Sequence, residues 1–184
     1  MPWAIRQNLR ATSPGEPEGC LLVTCENHIA MSHLKEGDPA PDFTVQDEKG
    51  AHISLSDFHG KKLILFFYPK DDTPGCTAEN CDLRDNYALL LSKGYAILGV
   101  SPDSAKKHEG FKAKYTLPFP LVPDTEQELL KLYGAWGQKQ MYGRSYEGVI
   151  RTTFVIDEAG NVAKVFTKVD TKNHSAQILK ALEG

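Results

Sequence analysis

"KKLILFFYPKDDTPGCTAENC", residues 61–81, changes its pattern halfway along. Lys61 to Pro69 is a near-continuous apolar run that ends at a proline. Such a run reads as a strand buried on both faces, the kind found at the centre of a parallel sheet. From Thr77 the pattern turns helical and is predicted to stay so to about Ser92, stopped by Gly94. Between the two lie a Thr-Pro-Gly turn and Cys76, with Cys81 five positions further on.

The rest of the chain extends this β-α start. "YAILGVS" (Tyr95 to Ser101) reads as a second buried strand, and Asp103 to Tyr115 as a helix that Asp103 or Ser104 can cap. "FPLVPD" is a short strand limited by prolines, and "EQELLKLYG" a short helix. "RTTFVID" and "VAKVFTKV" form a hairpin around Glu158–Asn161, and a helix from about His174 to Leu182 follows. Upstream, "FTVQD" and "HISL" flank Glu48-Lys49-Gly50 as an N-terminal hairpin. Strands joined by helices require a parallel centre, and the last hairpin adds antiparallel strands. The expected fold class is α/β: a mixed central β-sheet flanked by helices, preceded by a β-hairpin, with thioredoxin-like architecture.

The 184 residues suit one domain with a proper core. The composition, 41% hydrophobic and 24% charged, is ordinary for a soluble globular protein. A net charge of -3 gives no electrostatic reason to expect nucleic acid or an anionic membrane as partner. No apolar run approaches a membrane span. Four cysteines do not make a disulfide-scaffolded secreted domain. Residues 1–30 lack periodicity and are punctuated by Pro2, Pro14, Gly15, Pro17 and Gly19. They have no secretory signal pattern, and Arg6 and Arg10 make them faintly like an organelle transit peptide. They are expected to be a disordered leader or an over-called start, and residues 31–184 a single domain opening at "MSHLKEGDPAPDF".

Cys76 stands at or just before the first turn of the predicted helix. Unpaired backbone N–H groups there point outward and the helix dipole adds positive potential. Both favour a thiolate, the nucleophilic form of cysteine. Cys81 follows at i+5, which sets the two Cα atoms roughly 8–9 Å apart on an intact helix. A disulfide needs less than about 7 Å. The pair therefore never bonds, or bonds only when the helix unwinds locally. A metal site is the weaker alternative, because zinc pairs come as C-x2-C with further ligands nearby. The other pair, Cys20 and Cys25, repeats the spacing without the turn or the helix and is taken as incidental. Two buried unreactive thiols are the remaining alternative.

Pro69, Thr73 and Cys76 together spell P-x-x-x-T-x-x-C, which resembles the active-site signature of the peroxiredoxins. The C-x4-C continuation is similar to that of the bacterioferritin-comigratory, or peroxiredoxin Q, branch. The resemblance runs from about Leu34 to the C-terminus and includes "GDPAPDF", "LRD", "WGQK" and "GVIRTTFVID". It implies that Cys76 is the peroxidatic cysteine, that Thr73 contacts thiolate and peroxide, that Pro69 shields the sulfur, that Arg151 reaches the site from a later strand, and that Cys81 is the resolving cysteine. It further implies a thiol peroxidase acting on hydrogen peroxide and organic hydroperoxides, recycled by thioredoxin or a similar dithiol, with no metal, haem or flavin. A cytoplasmic monomer is the expectation, since an intrachain resolving cysteine needs no second subunit; organelle targeting by residues 1–30 stays open.

Other residues near the motif carry plainer expectations. Asp71 and Asp72 are expected as solvated loop acids, because inward carboxylates would oppose a thiolate. Glu79 reads as a first-turn acid that complements the helix dipole, with a hydrogen bond to Arg151 as an option. Trp136 and Tyr142 either line the pocket mouth or pack on the core. The six histidines show no paired spacing and are assigned no metal. Two rivals use the same residues: a general thiol–disulfide oxidoreductase and a redox-regulated chaperone or binding protein.

Overall fold

Strand β3 (Lys62–Phe67) is the axis of the molecule, with Leu63 to Phe67 fully buried. A computed structural model describes residues 34–183. The expectations for residues 1–30, and for Cys20 and Cys25, lie outside the described residues. The antiparallel hairpin of β1 (Thr44–Gln46) and β2 (His52–Ser54) precedes β3, as its turn signal predicted. After β3 come α1 (Pro74–Asp85), α2 (Tyr87–Ser92), β4 (Tyr95–Ser101), α3 (Ala105–Tyr115), β5 (Leu121–Pro123) and α4 (Glu128–Leu132). Then follow β6 (Trp136–Met141), β7 (Arg144–Val149), β8 (Thr152–Ile156), β9 (Val162–Phe166) and α5 (His174–Glu183).

The central sheet has the order β5-β4-β3-β8-β9. β3 pairs with β4 in parallel and with β8 antiparallel, β4 pairs with β5 in parallel, and β8 pairs with β9 antiparallel. This is the mixed sheet expected from helix-joined strands followed by a hairpin. Successive β3 side chains serve opposite faces, as the strand period of two requires. Leu63, Leu65 and Phe67 join one core with Leu98, Val100, Leu129, Leu130 and Phe154. Ile64, Phe66 and Tyr68 join the other with Leu83, Leu90, Phe111 and Ile178, side chains of α1, α2, α3 and α5. Each such side chain contributes about 1.5–3 kcal/mol on burial. Cys76 belongs to this second core, so the face of β3 that meets α1, α2, α3 and α5 also seats the thiol. Gly99 lets the strands close around it: a Cβ there would lie 2.7 Å from Leu121 and 2.8 Å from the Phe66 ring.

The structure corrects the predicted helix from Thr77 to Ser92. Helix α1 begins at Pro74, in the first-turn position where a missing N–H costs nothing. It breaks at Asn86, which has φ -100° and ψ 9° and separates α1 from α2. The Asp82 carbonyl accepts both the Asn86 backbone N–H, at 3.1 Å, and the Asn86 side-chain amide, at 2.9 Å, at this break.

The hairpin of β6 and β7 has no counterpart in the pattern reading. Its two-residue loop is Tyr142-Gly143, with φ 51° and 76°. Two successive positive φ angles suit a type I′ turn. Tyr-Gly is a weak turn signal, and polar side chains on both strands hide the alternation. Trp136 packs on the first core, whereas Tyr142 is almost wholly exposed. Among the described residues no helix is long and apolar enough to cross a membrane.

Candidate active site

Cys76 is the third residue of α1 and is 1% exposed. The buried strand β3 fixes where the loop of residues 68–73 begins, and Pro74 starts the helix that carries the thiol. Thr73 is the N-cap, with extended backbone at φ -98° and ψ 149°. Its hydroxyl donates to the Lys70 carbonyl at 3.0 Å rather than capping a helix N–H, so its lone pairs stay free as acceptors. Pro69 is half-buried where β3 hands over to this loop.

Arg151 precedes β8 by one residue, and the antiparallel pairing of β8 with β3 brings it to the end of β3 where the loop starts. Its Nη2 donates to Cys76 Sγ at 3.1 Å, while Nη1 pairs with Glu79 Oε2. Gly75 lies directly under this guanidinium: a Cβ there would be in contact with Arg151 Nη2, at 3.4 Å. Burial disfavours the charge on Arg151, but the neighbouring Glu79 and Cys76 outweigh it and hold the guanidinium pKa above its usual value. The sulfur thus faces a permanent cation.

Glu79 makes the bond to Arg151 that was one of its two expectations, and differs from the first-turn acid that was the other. Because α1 starts at Pro74, Glu79 falls in its second turn, with no exposed surface, paired to Arg151. Its other oxygen, Oε1, has no hydrogen-bond partner. Burial raises its pKa to about 7, against the opposing pull of Arg151. The folded state therefore holds this proton to higher pH than the unfolded chain, whose carboxyl titrates near 4.5. Stability from this group falls as pH rises from about 4.5 to 7 and is level above that. Glu79→Gln is expected to remove this slope, worth up to about 3 kcal/mol. Urea unfolding of both proteins at pH 5 and pH 8 measures it, and an identical pH dependence would rule the assignment out.

Asp71 also departs from expectation. It is buried, not solvated: the Tyr68 hydroxyl donates to one of its oxygens at 2.7 Å and His108 Nδ1 lies 2.7 Å from the other. Its backbone N–H donates to Asp103 at 2.7 Å. These partners satisfy the carboxylate, which is why it can face inward. Burial, then the Asp71 charge, push the Tyr68 hydroxyl well above its usual range, so it remains a donor. Asp72 is exposed as expected and is held by Lys114 and Tyr115. The Asn80 amide donates to the Cys76 carbonyl at 2.9 Å, a support that sequence reasoning missed.

Cys81 lies on the same continuous helix, partly exposed, and both thiols are free. The structure thus brings Cys76, Arg151 and Glu79 into contact, places Thr73 and Pro69 on the loop leading to the sulfur, and leaves Cys81 on another side of α1. Among the described residues no three His, Cys, Asp or Glu side chains converge as a metal site would need.

A buried thiol on a first helical turn, facing a fixed guanidinium on a thioredoxin-type sheet, has the makings of a thiol peroxidase. The chain belongs to the AhpC/TSA family, whose pattern matches residues 36–165. Its relatives are peroxiredoxins of the Bcp, or Q, type, so it is a thiol-dependent peroxidase. A putative peroxiredoxin bcp of Coxiella burnetii is 45% identical over 149 residues, covering 81% of this chain and 99% of the relative. Peroxiredoxin Bcp of Bacillus subtilis is 44% identical, covering 82% and 96%. Among solved structures, the bacterioferritin comigratory protein of Xanthomonas campestris, studied for alkyl peroxide reduction, superposes with a TM-score of 0.72 at 35% identity, covering 77% of this chain and 90% of that one.

Proposed function

We propose that Cys76 is the peroxidatic cysteine, Cys81 the resolving cysteine, and Thr73, Arg151 and Pro69 their supporting groups. The observation that carries this is the 3.1 Å contact from Arg151 Nη2 to a sulfur seated on the first turn of α1. In the first step the Cys76 thiolate attacks one peroxide oxygen and the O–O bond breaks. The other oxygen leaves with a proton as water or an alcohol, and Cys76 becomes a sulfenic acid. Arg151, with the N–H groups of the first helical turn, stabilises charge on the separating oxygens. In this reading Thr73, whose hydroxyl donates to the Lys70 carbonyl, accepts a hydrogen bond from the peroxide with its lone pairs, and Pro69 limits water at the sulfur.

In the second step α1 opens, the Cys81 thiol condenses with the sulfenic acid, an S–S bond forms and water leaves. A dithiol, thioredoxin or one like it, then returns two electrons and two protons by exchange. A cycle that ends on such a reductant belongs in a reducing compartment, which supports a cytoplasmic site of action. The intrachain bond supports a monomer as the working unit. Hydrogen peroxide and organic hydroperoxides are the proposed substrates.

Cys81→Ser tests the second step. It is expected to keep one fast turnover, with Cys76 halted as sulfenic acid, and to lose at least about 100-fold of thioredoxin-dependent steady-state turnover. Rapid-mixing and steady-state assays with the same peroxide separate the two. Normal steady-state turnover in the variant would refute the Cys76–Cys81 pairing while leaving Cys76 as nucleophile.

A further inference from the structure

The residue that follows Cys81 is tied to a helix at the far end of the chain. Asp82 Oδ2 accepts the backbone N–H of Ser175 at 2.7 Å, in the first turn of α5. That N–H has no partner within its own helix, and the carboxylate also meets the positive end of the α5 dipole. Hydrogen bonds of this charged type are roughly twice as strong as neutral ones. Two residues on, Arg84 Nη1 donates to the Tyr115 carbonyl at 2.8 Å, at the last turn of α3. The segment directly after Cys81 is therefore fastened on two sides.

Opening α1 pulls against these ties. On the intact helix the two cysteines are roughly 8–9 Å apart at Cα and point about 140° apart around the axis. A disulfide cannot form until the turns between them unwind. Asp82 is covalently next to Cys81, so re-aiming Cys81 toward Cys76 displaces the carboxylate from α5.

We propose that the Asp82–Ser175 bond is a latch that sets how fast α1 opens after Cys76 is oxidised, and so how the sulfenic acid is partitioned. This rests on the Cys76–Cys81 pairing proposed above. The sulfenic acid has two fates. Cys81 can condense with it, losing water and forming the disulfide. Alternatively, a second hydroperoxide can oxidise it: a second S–O bond forms, the O–O bond breaks, water or an alcohol leaves, and the product is a sulfinic acid that thiols do not reduce. A tighter latch lengthens the life of the sulfenic acid and favours the second fate.

The two sides of the latch can be removed separately. Asp82→Ala removes the acceptor. Ser175→Pro removes the donor; it also strains the helical His174 that precedes it, so urea unfolding of this variant is measured beside the rate. Rapid chemical quench with peptide mass spectrometry follows the two oxidation steps after mixing with hydrogen peroxide. The rate of Cys76 oxidation is expected to stay at the wild-type value. Disulfide formation is expected to speed up about ten-fold in each variant, with no further gain in the double variant. Asp82→Asn, which keeps an uncharged acceptor, is expected to fall between. The sulfinic fraction at excess peroxide falls in the same order. Leu129→Ala opens the other core, on the opposite face of β3 from Cys76, α1 and α5, so it lowers stability and leaves the disulfide rate unchanged; equal acceleration there would mean general loosening and overturn the latch. An unchanged rate in Asp82→Ala or Ser175→Pro, with the disulfide still forming, would overturn it as well. Absence of a Cys76–Cys81 disulfide in the wild-type protein would remove the pairing itself and the latch with it.

Discussion

Cys76→Ser is expected to abolish peroxide consumption, a loss of at least about four orders of magnitude. A serine hydroxyl is not ionised near neutrality and its oxygen has no counterpart to the sulfenic state. The buried site differs by one atom, and the apolar neighbours that seat it remain in place. The variant should therefore fold normally, which circular dichroism and urea unfolding can establish beside the peroxidase assay. Activity retained by a folded Cys76→Ser protein would contradict the assignment. The same variant separates the rivals. A chaperone or binding protein on this fold would keep its function without Cys76. A general thiol–disulfide oxidoreductase would reduce disulfides in the wild-type protein without stoichiometric peroxide loss.

Arg151→Met is expected to slow Cys76 oxidation by about 100- to 1,000-fold, the range for losing one donor at a developing oxyanion. The same change leaves Glu79 buried without its cation. Removing one partner of a buried ion pair typically costs about 3–5 kcal/mol. The raised Glu79 pKa of about 7 reduces this below neutrality, where the carboxyl takes up a proton. The stability loss should therefore be larger at pH 8 than at pH 5. Combining Arg151→Met with Glu79→Gln should recover much of the stability and none of the rate. Arg151→Lys keeps the charge but lacks the fork that touches Cys76 and Glu79 together, so an intermediate rate is expected. A double variant that regained activity along with stability would show that Arg151 supports the fold and not the reaction.

How far the sequence could be read follows from where each signal lies. β3, β4 and β8 were legible because a strand buried on both faces has no choice but to be apolar. Pro69, Thr73 and Cys76 form one local string, so the resemblance could be seen without any knowledge of the fold. Arg151 was not legible from pattern alone: one arginine beside a strand looks like any surface arginine, and only the resemblance singled it out. Its place beside Cys76 depends on the antiparallel pairing of β8 with β3, a contact between residues 75 apart in sequence. Asp71 was misread, and Glu79 was read only in part: its bond to Arg151 was among the options, its burial was not, and one reason covers both burials. Charged residues near a helix start or in a loop are usually solvated. Here each is buried because a partner, Arg151 for Glu79 and Tyr68 with His108 for Asp71, arrives from elsewhere in the chain or the fold. The β6–β7 hairpin was hidden because its strands are polar and its turn carries Tyr142 at positive φ, a position that sequence signals reserve for Asn, Asp or Gly.

The most direct test of the central claim is to react the fully reduced protein with one equivalent of hydrogen peroxide and to map its thiols by peptide mass spectrometry. The account predicts a rapid disulfide between Cys76 and Cys81, which demonstrates the peroxidatic thiol and the opening of α1 in a single product. Recovery of both cysteines as unmodified thiols, with the peroxide unconsumed, would contradict it.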